Sequence, residues 1–194
     1  GKRTWMWSLY CRVAERNWDE FIADASAEGG IVNHFVIDAK LTEDQKETLG
    51  HLAKKHEQEF HLHKDKTGID YTHLDIMILN DNPVADKVAE QFSVKPNRVS
   101  LMRVAPNATI VPHVDGKDYQ RLSAIVFPIL PVMEDFTPTS FYHAGNGNKK
   151  YSHSSECYAF DTQQMHGVEN NDNYRLSLQL WYDMSLTELK KMII

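Results

Sequence analysis

Hydrophobic and polar positions alternate in the first part of the chain in a way that predicts short strands. Alternating apolar residues at 5–11 predict a strand with one buried face, and residues 31–37 predict a second strand. Between them, residues 18–27 are typical of a short helix that ends before Gly29 and Gly30. A further strand is predicted over residues 73–79.

Two helices are predicted around that last strand. Thr42 and Gln45 have the spacing of a capping box, so a helix should begin at this point. Its apolar face then recurs with the helical period at Leu49, Leu52, Ala53, His56 and Phe60. The four histidines between residues 51 and 63 are interpreted as a solvated helix end rather than a second metal site. Asn82 and Pro83 begin another helix, which is predicted to run to about residue 92.

The pattern changes after Pro96, where short apolar segments are separated by turn signals. Eight strands are predicted, over residues 98–105, 109–114, 119–130, 141–143, 151–153, 157–160, 167–169 and 174–183. This number and spacing favour a β-sandwich or barrel. The polar tip at residues 145–148 is typical of a hairpin or lid, and residues 185–194 are predicted to close the chain as a helix.

Composition and charge narrow the classes of function. The chain has 21 Lys and Arg against 27 Asp and Glu, a net charge of −6, and no basic run, so a nucleic-acid partner is not predicted. Cys11 and Cys157 lie far apart, which argues against a disulfide framework and favours a reducing, cytoplasmic compartment. No apolar run approaches the roughly 20 residues of a membrane helix, so no membrane partner is expected.

The candidate chemistry lies in the second half of the chain. His113 and Asp115 are two residues apart on a predicted strand, so their side chains project to the same face. His166, on a later strand, would complete two imidazoles and one carboxylate around a metal. This set is the facial triad of non-haem Fe(II) oxygenases, which leaves coordination positions open.

A second set of residues has a related spacing. His73 and Asp75 are followed by His113, and then by Arg121 and Ser123. We favour the set of His113, Asp115 and His166, because the helix predicted from Pro83 would interrupt the strands that carry the ligands of the other set.

A possible anion-binding pair follows the triad. Arg175 and Ser177 come nine and eleven residues after His166 and share one face of a predicted strand. A guanidinium and a hydroxyl so placed can hold one carboxylate, because the planar fork of arginine binds carboxylates through two hydrogen bonds.

With these residues in place, residues 98–183 resemble the 2-oxoglutarate/Fe(II)-dependent dioxygenase superfamily, whose core carries HxD…H…RxS in this order. The sequence Pro106-Asn-Ala-Thr-Ile-Val-Pro-His113-Val-Asp115, with Arg121-Leu122 and His166-Gly-Val-Glu-Asn170, is most similar to the aspartyl/asparaginyl β-hydroxylase and proline hydroxylase-type branch. The chain departs from that branch at Pro106-Asn107-Ala108-Thr109, where members often have Pro-Gly-Thr, and at Met102, where a serine is common.

The resemblance implies a fold and a set of roles. The fold would be mainly β with flanking helices, around a double-stranded β-helix (jelly-roll, cupin-like) core. His113, Asp115 and His166 would bind Fe(II), Arg175 would bind the distal carboxylate of the cosubstrate 2-oxoglutarate with help from Ser177, and Arg121 would lie nearer its other end. The presence of Asp115 argues against a halogenase, which lacks this carboxylate.

At 194 residues the chain is predicted to form a single domain, with a support region at residues 1–95, the catalytic core at 96–184 and a C-terminal helix at 185–194. The resemblance also implies an activity. The enzyme would use O2 to hydroxylate a C–H of a small-molecule amino acid or a protein or peptide side chain, with release of succinate and CO2. Two other classes stay open: a cupin-like metal-binding module without oxygenase activity, and a zinc-dependent hydrolase.

Overall fold

The computed structural model describes residues 34–59, 61–64, 70–116, 120–142, 149–151 and 155–193. The strand predicted at residues 5–11, the helix predicted at 18–27 and the polar tip at 145–148 lie outside these ranges. Within the described residues the chain is built mainly from strands, with three α-helices at the periphery.

Eleven strands are found in the described part of the chain. They are β1 (His34–Val36), β2 (His61–Lys64), β3 (Asp70–Ile78), β4 (Arg98–Val104), β5 (Thr109–His113), β6 (Ser123–Leu130), β7 (Ser140–Tyr142), β8 (Lys149–Tyr151), β9 (Tyr158–Asp161), β10 (His166–Glu169) and β11 (Arg175–Tyr182). All eight strands predicted after Pro96 are present, within a few residues of the expected bounds.

The strands form two antiparallel sheets. The larger sheet has seven strands in the order β1-β9-β6-β11-β4-β3-β2, and the smaller has four in the order β5-β10-β7-β8. In both sheets, many strands that are neighbours in space are not consecutive in the chain, so the chain crosses between strands in the manner of a double-stranded β-helix, or jelly roll. The predicted fold class, mainly β with flanking helices, is confirmed.

Strand β11 lies at the centre of the larger sheet, between β4 and β6, and is buried along its whole length. Its residues alternate in character. Leu176, Leu178 and Leu180 belong to the main apolar core, which also contains residues of the three helices. The opposite face carries polar residues, Arg175, Ser177 and Gln179, which are also buried. A buried polar face needs partners, and those partners form the site described below.

The helices cover the apolar face of the larger sheet. Helix α1 (Glu43–Lys55) begins with the predicted capping box, in which Thr42 and Gln45 exchange hydrogen bonds. Helix α2 (Pro83–Ala89) is capped by the Asn82 side chain, and α3 (Leu186–Ile193) closes the described chain. Each of these helices is too short to cross a membrane.

Two helices end earlier than predicted, α2 at Ala89 rather than near residue 92, and α1 by a larger margin. The apolar period predicted that α1 continues to Phe60, but the helix ends at Lys55, and a 3-10 turn at Glu57–Glu59 leads into β2. Strand β2 pairs with β3, the next strand in the chain, and β3 pairs in turn with β4. Sheet pairing therefore overrides the local helical pattern in this segment.

Candidate metal centre

His113 and His166 meet where the smaller sheet pairs β5 with β10. The two residues are direct partners across this antiparallel pair, and their ring centroids lie 4.5 Å apart. The register shifts between His166 and Val168, so β5 has an extra residue and bulges next to the histidines. Asp115 follows the end of β5, and its backbone N–H donates to the carbonyl of Thr162 at 2.9 Å.

The side chains of these three residues converge. Oδ1 of Asp115 lies 3.4 Å from Nε2 of His113 and 3.5 Å from Nε2 of His166. The ligand atoms of the three side chains all lie within 4.8 Å of one another. Among the described residues, these three therefore form the group of histidine, cysteine or acidic side chains that could hold a metal ion. The three residues that the sequence predicted as metal ligands are therefore brought together.

Each imidazole is oriented by its own backbone. Nδ1 of His113 lies 2.8 Å from the carbonyl of Val111, and Nδ1 of His166 lies 2.7 Å from the carbonyl of Gln164. A carbonyl only accepts, so Nδ1 carries the proton in both rings and the Nε2 lone pair is left for a metal. Nitrogen and carboxylate donors with open positions suit a divalent transition metal such as Fe(II).

The charges at this site also favour a cation. Burial alone would raise the pKa of the Asp115 carboxyl, but the Arg121 guanidinium and the neighbouring imidazoles of His113 and His166 hold it well below its usual range. Burial and the neighbouring His113 lower the pKa of His166. The site therefore presents an ionised carboxylate and a neutral His166, which are the forms that bind metals.

Arg121 is the nearest cation to this carboxylate. Its Nη1 donates to Oδ2 of Asp115, and its Nη2 donates to Oε1 of Gln179 on β11. The sequence resemblance implied that Arg121 binds the cosubstrate. The structure places it against the carboxylate of Asp115, a candidate metal ligand, and its predicted contact with the cosubstrate stays a prediction.

Arg175 lies at the start of β11, with 2% of its surface exposed. Its Nε donates to the carbonyl of Thr137 at 2.9 Å, and its guanidinium carbon lies 4.5 Å from the centroid of the Phe136 ring. Its Nη2 is buried and has no hydrogen-bond partner among the described residues. Burial lowers the pKa of Arg175, while the nearby Tyr158 phenol opposes that shift.

An unpaired donor on a buried cation costs free energy, about 1–3 kcal/mol or more. A carboxylate at this position would satisfy Nη2 and offset the charge, so Arg175 fits one end of a dicarboxylate. Ser177 is fully buried on the same face of β11, two residues along, and its Oγ accepts a hydrogen bond from Gln179 at 3.3 Å. Met102, which stands where related sequences often have serine, pairs directly with Ser177 across β4 and β11.

The competing set of residues has other contacts. Oδ2 of Asp75 lies 2.6 Å from Nε of Arg103, and Arg121 is paired with Asp115. His113 belongs to the group with Asp115 and His166. The described contacts therefore bring together the set that we favoured from the sequence, and its role as a metal site stays a prediction.

Two residues that bind Arg121 or the backbone of Asp115 were not identified from the sequence. Gln179 occupies the same face of β11 as Ser177, so the two-residue period of a strand could have indicated it. Thr162 binds the backbone on both sides of the Asp115 loop, donating from its hydroxyl to the carbonyl of Arg121 and accepting from the Asp115 amide. No local pattern marks Thr162, because its contacts join segments about forty residues apart.

No protein-family model matches the chain, and no curated protein sequence matches it. Solved structures do match. A prolyl hydroxylase from Trichoplax adhaerens, in complex with a hypoxia inducible factor oxygen degradation domain peptide fragment, has a TM-score of 0.58 at 11% identity over 92% of each chain. A Pseudomonas putida prolyl-4-hydroxylase has a TM-score of 0.55 at 15% identity, over 77% of this chain and 90% of its own. An oxidoreductase of the 2OG-Fe(II) oxygenase family from Burkholderia pseudomallei has a TM-score of 0.52 at 12% identity, over 84% and 90%.

These likenesses establish the class of fold: the chain has the jelly roll of the 2-oxoglutarate/Fe(II) oxygenases. Two of the three structures are prolyl hydroxylases, and assignment to the aspartyl/asparaginyl β-hydroxylase branch stays a prediction. The His-Asp-His group lies within this fold, so the chemistry can be argued from the site itself.

Proposed function

We propose that the protein is a non-haem Fe(II)/2-oxoglutarate-dependent dioxygenase that hydroxylates a C–H of an amino acid or of a protein side chain. The observation that carries the proposal is the pairing of two features in one jelly roll. One is the convergence of His113, Asp115 and His166, and the other is the buried Arg175 with an unpaired guanidinium nitrogen. A metal-binding module without oxygenase activity has no need of the second feature.

His113, Asp115 and His166 would hold Fe(II) in this site. The chemistry that the bound metal supplies, with 2-oxoglutarate and O2, is decarboxylation of the cosubstrate to succinate and CO2 coupled to transfer of one oxygen atom to a substrate C–H. The carbonyls of Val111 and Gln164 keep both imidazoles in the tautomer that presents Nε2.

Arg175 would bind the distal carboxylate of 2-oxoglutarate. The Thr137 carbonyl fixes the guanidinium through Nε, which leaves Nη2 as the donor that a ligand can reach. Phe136 covers the guanidinium on one face, and this apolar contact keeps water from competing for the same hydrogen bonds. Ser177 would add a hydroxyl to the same carboxylate.

The substrate class rests on similarity. The Trichoplax adhaerens prolyl hydroxylase that this chain resembles was solved with a peptide fragment. A peptide, a protein side chain or a free amino acid is therefore the class that we propose for this chain. The acidic net charge gives no support to a nucleic-acid substrate.

An anaerobic titration tests the proposal. Apo-protein is titrated with Fe(II) and then with 2-oxoglutarate, and the visible metal-to-ligand charge-transfer band is recorded. We expect the band with the wild-type protein and its loss in His166→Ala. Binding of Fe(II) without the band would instead favour the metal-binding module, and Zn(II)-supported hydrolysis without need of Fe(II) would favour the hydrolase.

A further inference from the structure

We propose that Arg121 is a positioning residue that restricts Asp115 to a single metal-ligand oxygen and thereby keeps coordination positions open for the cosubstrate. Gln179 holds Arg121 in the orientation that this requires. The inference rests on the proposed function, since it concerns the same metal site, and it assigns Arg121 a role different from direct binding of 2-oxoglutarate.

The two oxygens of Asp115 have different surroundings. Oδ1 faces Nε2 of both histidines, at 3.4 and 3.5 Å, and is the oxygen within the ligand group. Oδ2 accepts a hydrogen bond from Nη1 of Arg121. Pairing with a guanidinium uses one lone pair of Oδ2, lowers its negative charge and holds it toward Arg121, so Oδ2 is a weaker metal ligand than Oδ1 and Asp115 would coordinate through Oδ1.

This restriction has a chemical consequence. A triad of three ligand atoms on one face of an octahedral ion leaves three positions, of which 2-oxoglutarate takes two and O2 requires one. A carboxylate that coordinated through both oxygens would occupy one of those three. Loss of the Arg121 contact should therefore weaken the binding of 2-oxoglutarate to the metal-loaded protein, even if the metal itself still binds.

Arg121 is held from several sides. It is 6% exposed, and its second terminal nitrogen donates to Oε1 of Gln179, whose own Nε2 donates to Ser177 at 3.3 Å. Its guanidinium carbon lies 5.5 Å from the Phe160 ring centroid and 5.2 Å from the Trp181 ring centroid. Such contacts orient a guanidinium and partly offset the cost of burying its charge.

The backbone around Arg121 is tied to the same site. The carbonyl of Arg121 accepts a hydrogen bond from the hydroxyl of Thr162, whose own carbonyl accepts from the amide of Asp115. Gln163 adds a bond from its side-chain amide to the Asp115 carbonyl at 3.2 Å. Arg121 and Asp115 are thus fixed by one turn, which leaves their side chains little freedom to separate.

Both terminal nitrogens of Arg121 are therefore engaged within the protein, one by Asp115 and the other by Gln179. Arg175, in contrast, keeps a terminal nitrogen without a partner among the described residues. This difference is why we assign cosubstrate binding to Arg175 and positioning of the metal ligand to Arg121.

The test replaces Fe(II) with Co(II), whose visible absorption reports coordination number and geometry. Spectra of the Co(II)-saturated protein are recorded before and after addition of 2-oxoglutarate, for the wild type and for Arg121→Met, Arg121→Lys and Gln179→Met. Arg103→Met is the matched control, because it also removes an arginine paired with an aspartate, Asp75, outside the His-Asp-His group. Thermal unfolding of each apo-protein shows that it is folded.

We expect Arg121→Met to change the Co(II) spectrum before any 2-oxoglutarate is added, and to weaken 2-oxoglutarate binding by about tenfold or more, the usual effect of losing a partner of a metal ligand. Arg121→Lys should have smaller effects on the Co(II) spectrum and on 2-oxoglutarate binding, because lysine keeps a cationic donor but lacks the planar guanidinium. Gln179→Met should change the spectrum and the binding in the same direction as Arg121→Met, but by less. Arg103→Met should leave the spectrum unchanged.

Two results would overturn the inference. An unchanged Co(II) spectrum in folded Arg121→Met, with weaker binding of 2-oxoglutarate, would show that Arg121 contacts the cosubstrate directly. An unchanged spectrum and unchanged binding would show that its role is structural. If the wild-type protein binds Co(II) but not 2-oxoglutarate, the proposed function fails, while the spectra taken without 2-oxoglutarate still decide the role of Arg121.

Discussion

Gly167 and Ile110 are in such close contact that no side chain fits between them. A Cβ built on Gly167 would lie 2.6 Å from the carbonyl oxygen of Ile110 and 3.2 Å from the nitrogen of Pro112. Both neighbouring atoms belong to the backbone of β5, which cannot move aside as a side chain can. Gly167 follows His166, and β5 ends at His113, so this close approach sets the separation of the two imidazoles.

We therefore predict that Gly167→Ala damages the metal site as well as the fold. The added methyl group must push β10 away from β5, which separates His166 from His113. The affinity for Fe(II) or Co(II) should fall by about tenfold or more, and the free energy of unfolding should fall by about 1–3 kcal/mol. Metal titration by calorimetry and urea unfolding measure the two effects.

Gly50→Ala is the control for this substitution. Gly50 lies inside helix α1, and a Cβ at that position meets nothing within 4 Å. Alanine is the better helix former by about 1 kcal/mol, so this variant should be more stable and should bind metal as the wild type does. If Gly167→Ala behaved in the same way as Gly50→Ala, the close approach of β10 to β5 would not be setting the histidine separation.

A second prediction concerns the two candidate aspartates. Asp115→Asn removes the ionised oxygen ligand, and we expect it to abolish measurable binding of Fe(II) at micromolar concentrations. Asp75→Asn removes one acidic partner of Arg103, in a partly buried ion pair at 2.6 Å, while Glu57 stays 3.4 Å from the same guanidinium, so it should cost some stability and leave metal binding intact. Anaerobic binding isotherms for the two proteins decide between them. Loss of metal binding in Asp75→Asn would instead favour the alternative ligands, His73, Asp75 and His113.

Much of the fold could be predicted because its elements carry local signals. The strands after Pro96 are short apolar segments between clear turns, and the capping box at Thr42 marks the start of α1. The triad could be found for a similar reason. Residues two apart on an extended chain project to the same side, which predicts that His113 and Asp115 lie together, although Asp115 itself follows the end of β5. The order of the later residues points to His166.

The parts that could not be predicted depend on pairing between segments. Strand β2 pairs with β3, and nothing in the local pattern of residues 49–60 opposes a longer α1. The contact between Arg121 and Asp115 depends on closure of the two sheets, which brings Gln179 and Thr162 to the same place. A sequence pattern indicates which residues carry charge, but the fold decides which charges meet.

A third prediction tests the role of Arg175 through the shape of its side chain. Arg175→Met removes the buried cation, and we expect the dissociation constant for 2-oxoglutarate to rise by about 100-fold, since a buried charged pair contributes about 2–5 kcal/mol on truncation. Arg175→Lys keeps the charge but loses the fork, so its dissociation constant should lie between the two. The charge-transfer band, titrated with 2-oxoglutarate under anaerobic conditions, gives all three values.

Binding of Fe(II) itself should change little in either variant, because Arg175 is not among the ligand residues. Arg103→Met is again a suitable control for the loss of a positive charge elsewhere in the larger sheet. Equal affinity for 2-oxoglutarate in Arg175→Met and the wild type would remove the observation on which the proposed function rests.

Asp161, at the end of β9, differs from the other acidic residues near the site. Burial raises the pKa of its carboxyl from 3.8 to about 6, and the nearby Asp115 carboxylate adds to this effect. Hydrogen bonds from Gln163 and Gln164 oppose the shift without cancelling it, the first from the backbone N–H of Gln163 at 2.8 Å. At neutral pH the folded protein therefore carries an ionised carboxylate in surroundings that favour the protonated form.

Because the folded state holds this proton more tightly than the unfolded chain, the contribution of Asp161 to stability is largest below about pH 4 and is lost as the pH rises to about 6. The rise in the pKa of Asp161 from 3.8 to about 6 corresponds to a change of about 3 kcal/mol in the free energy of unfolding. Asp161→Asn keeps an acceptor for the Gln163 amide but cannot ionise. We expect the two metal-free proteins to have nearly equal free energies of unfolding at about pH 4, and the variant to be more stable by up to about 3 kcal/mol at pH 7. Urea unfolding across this range measures the difference, and a difference that does not change with pH would show that Asp161 does not titrate as described.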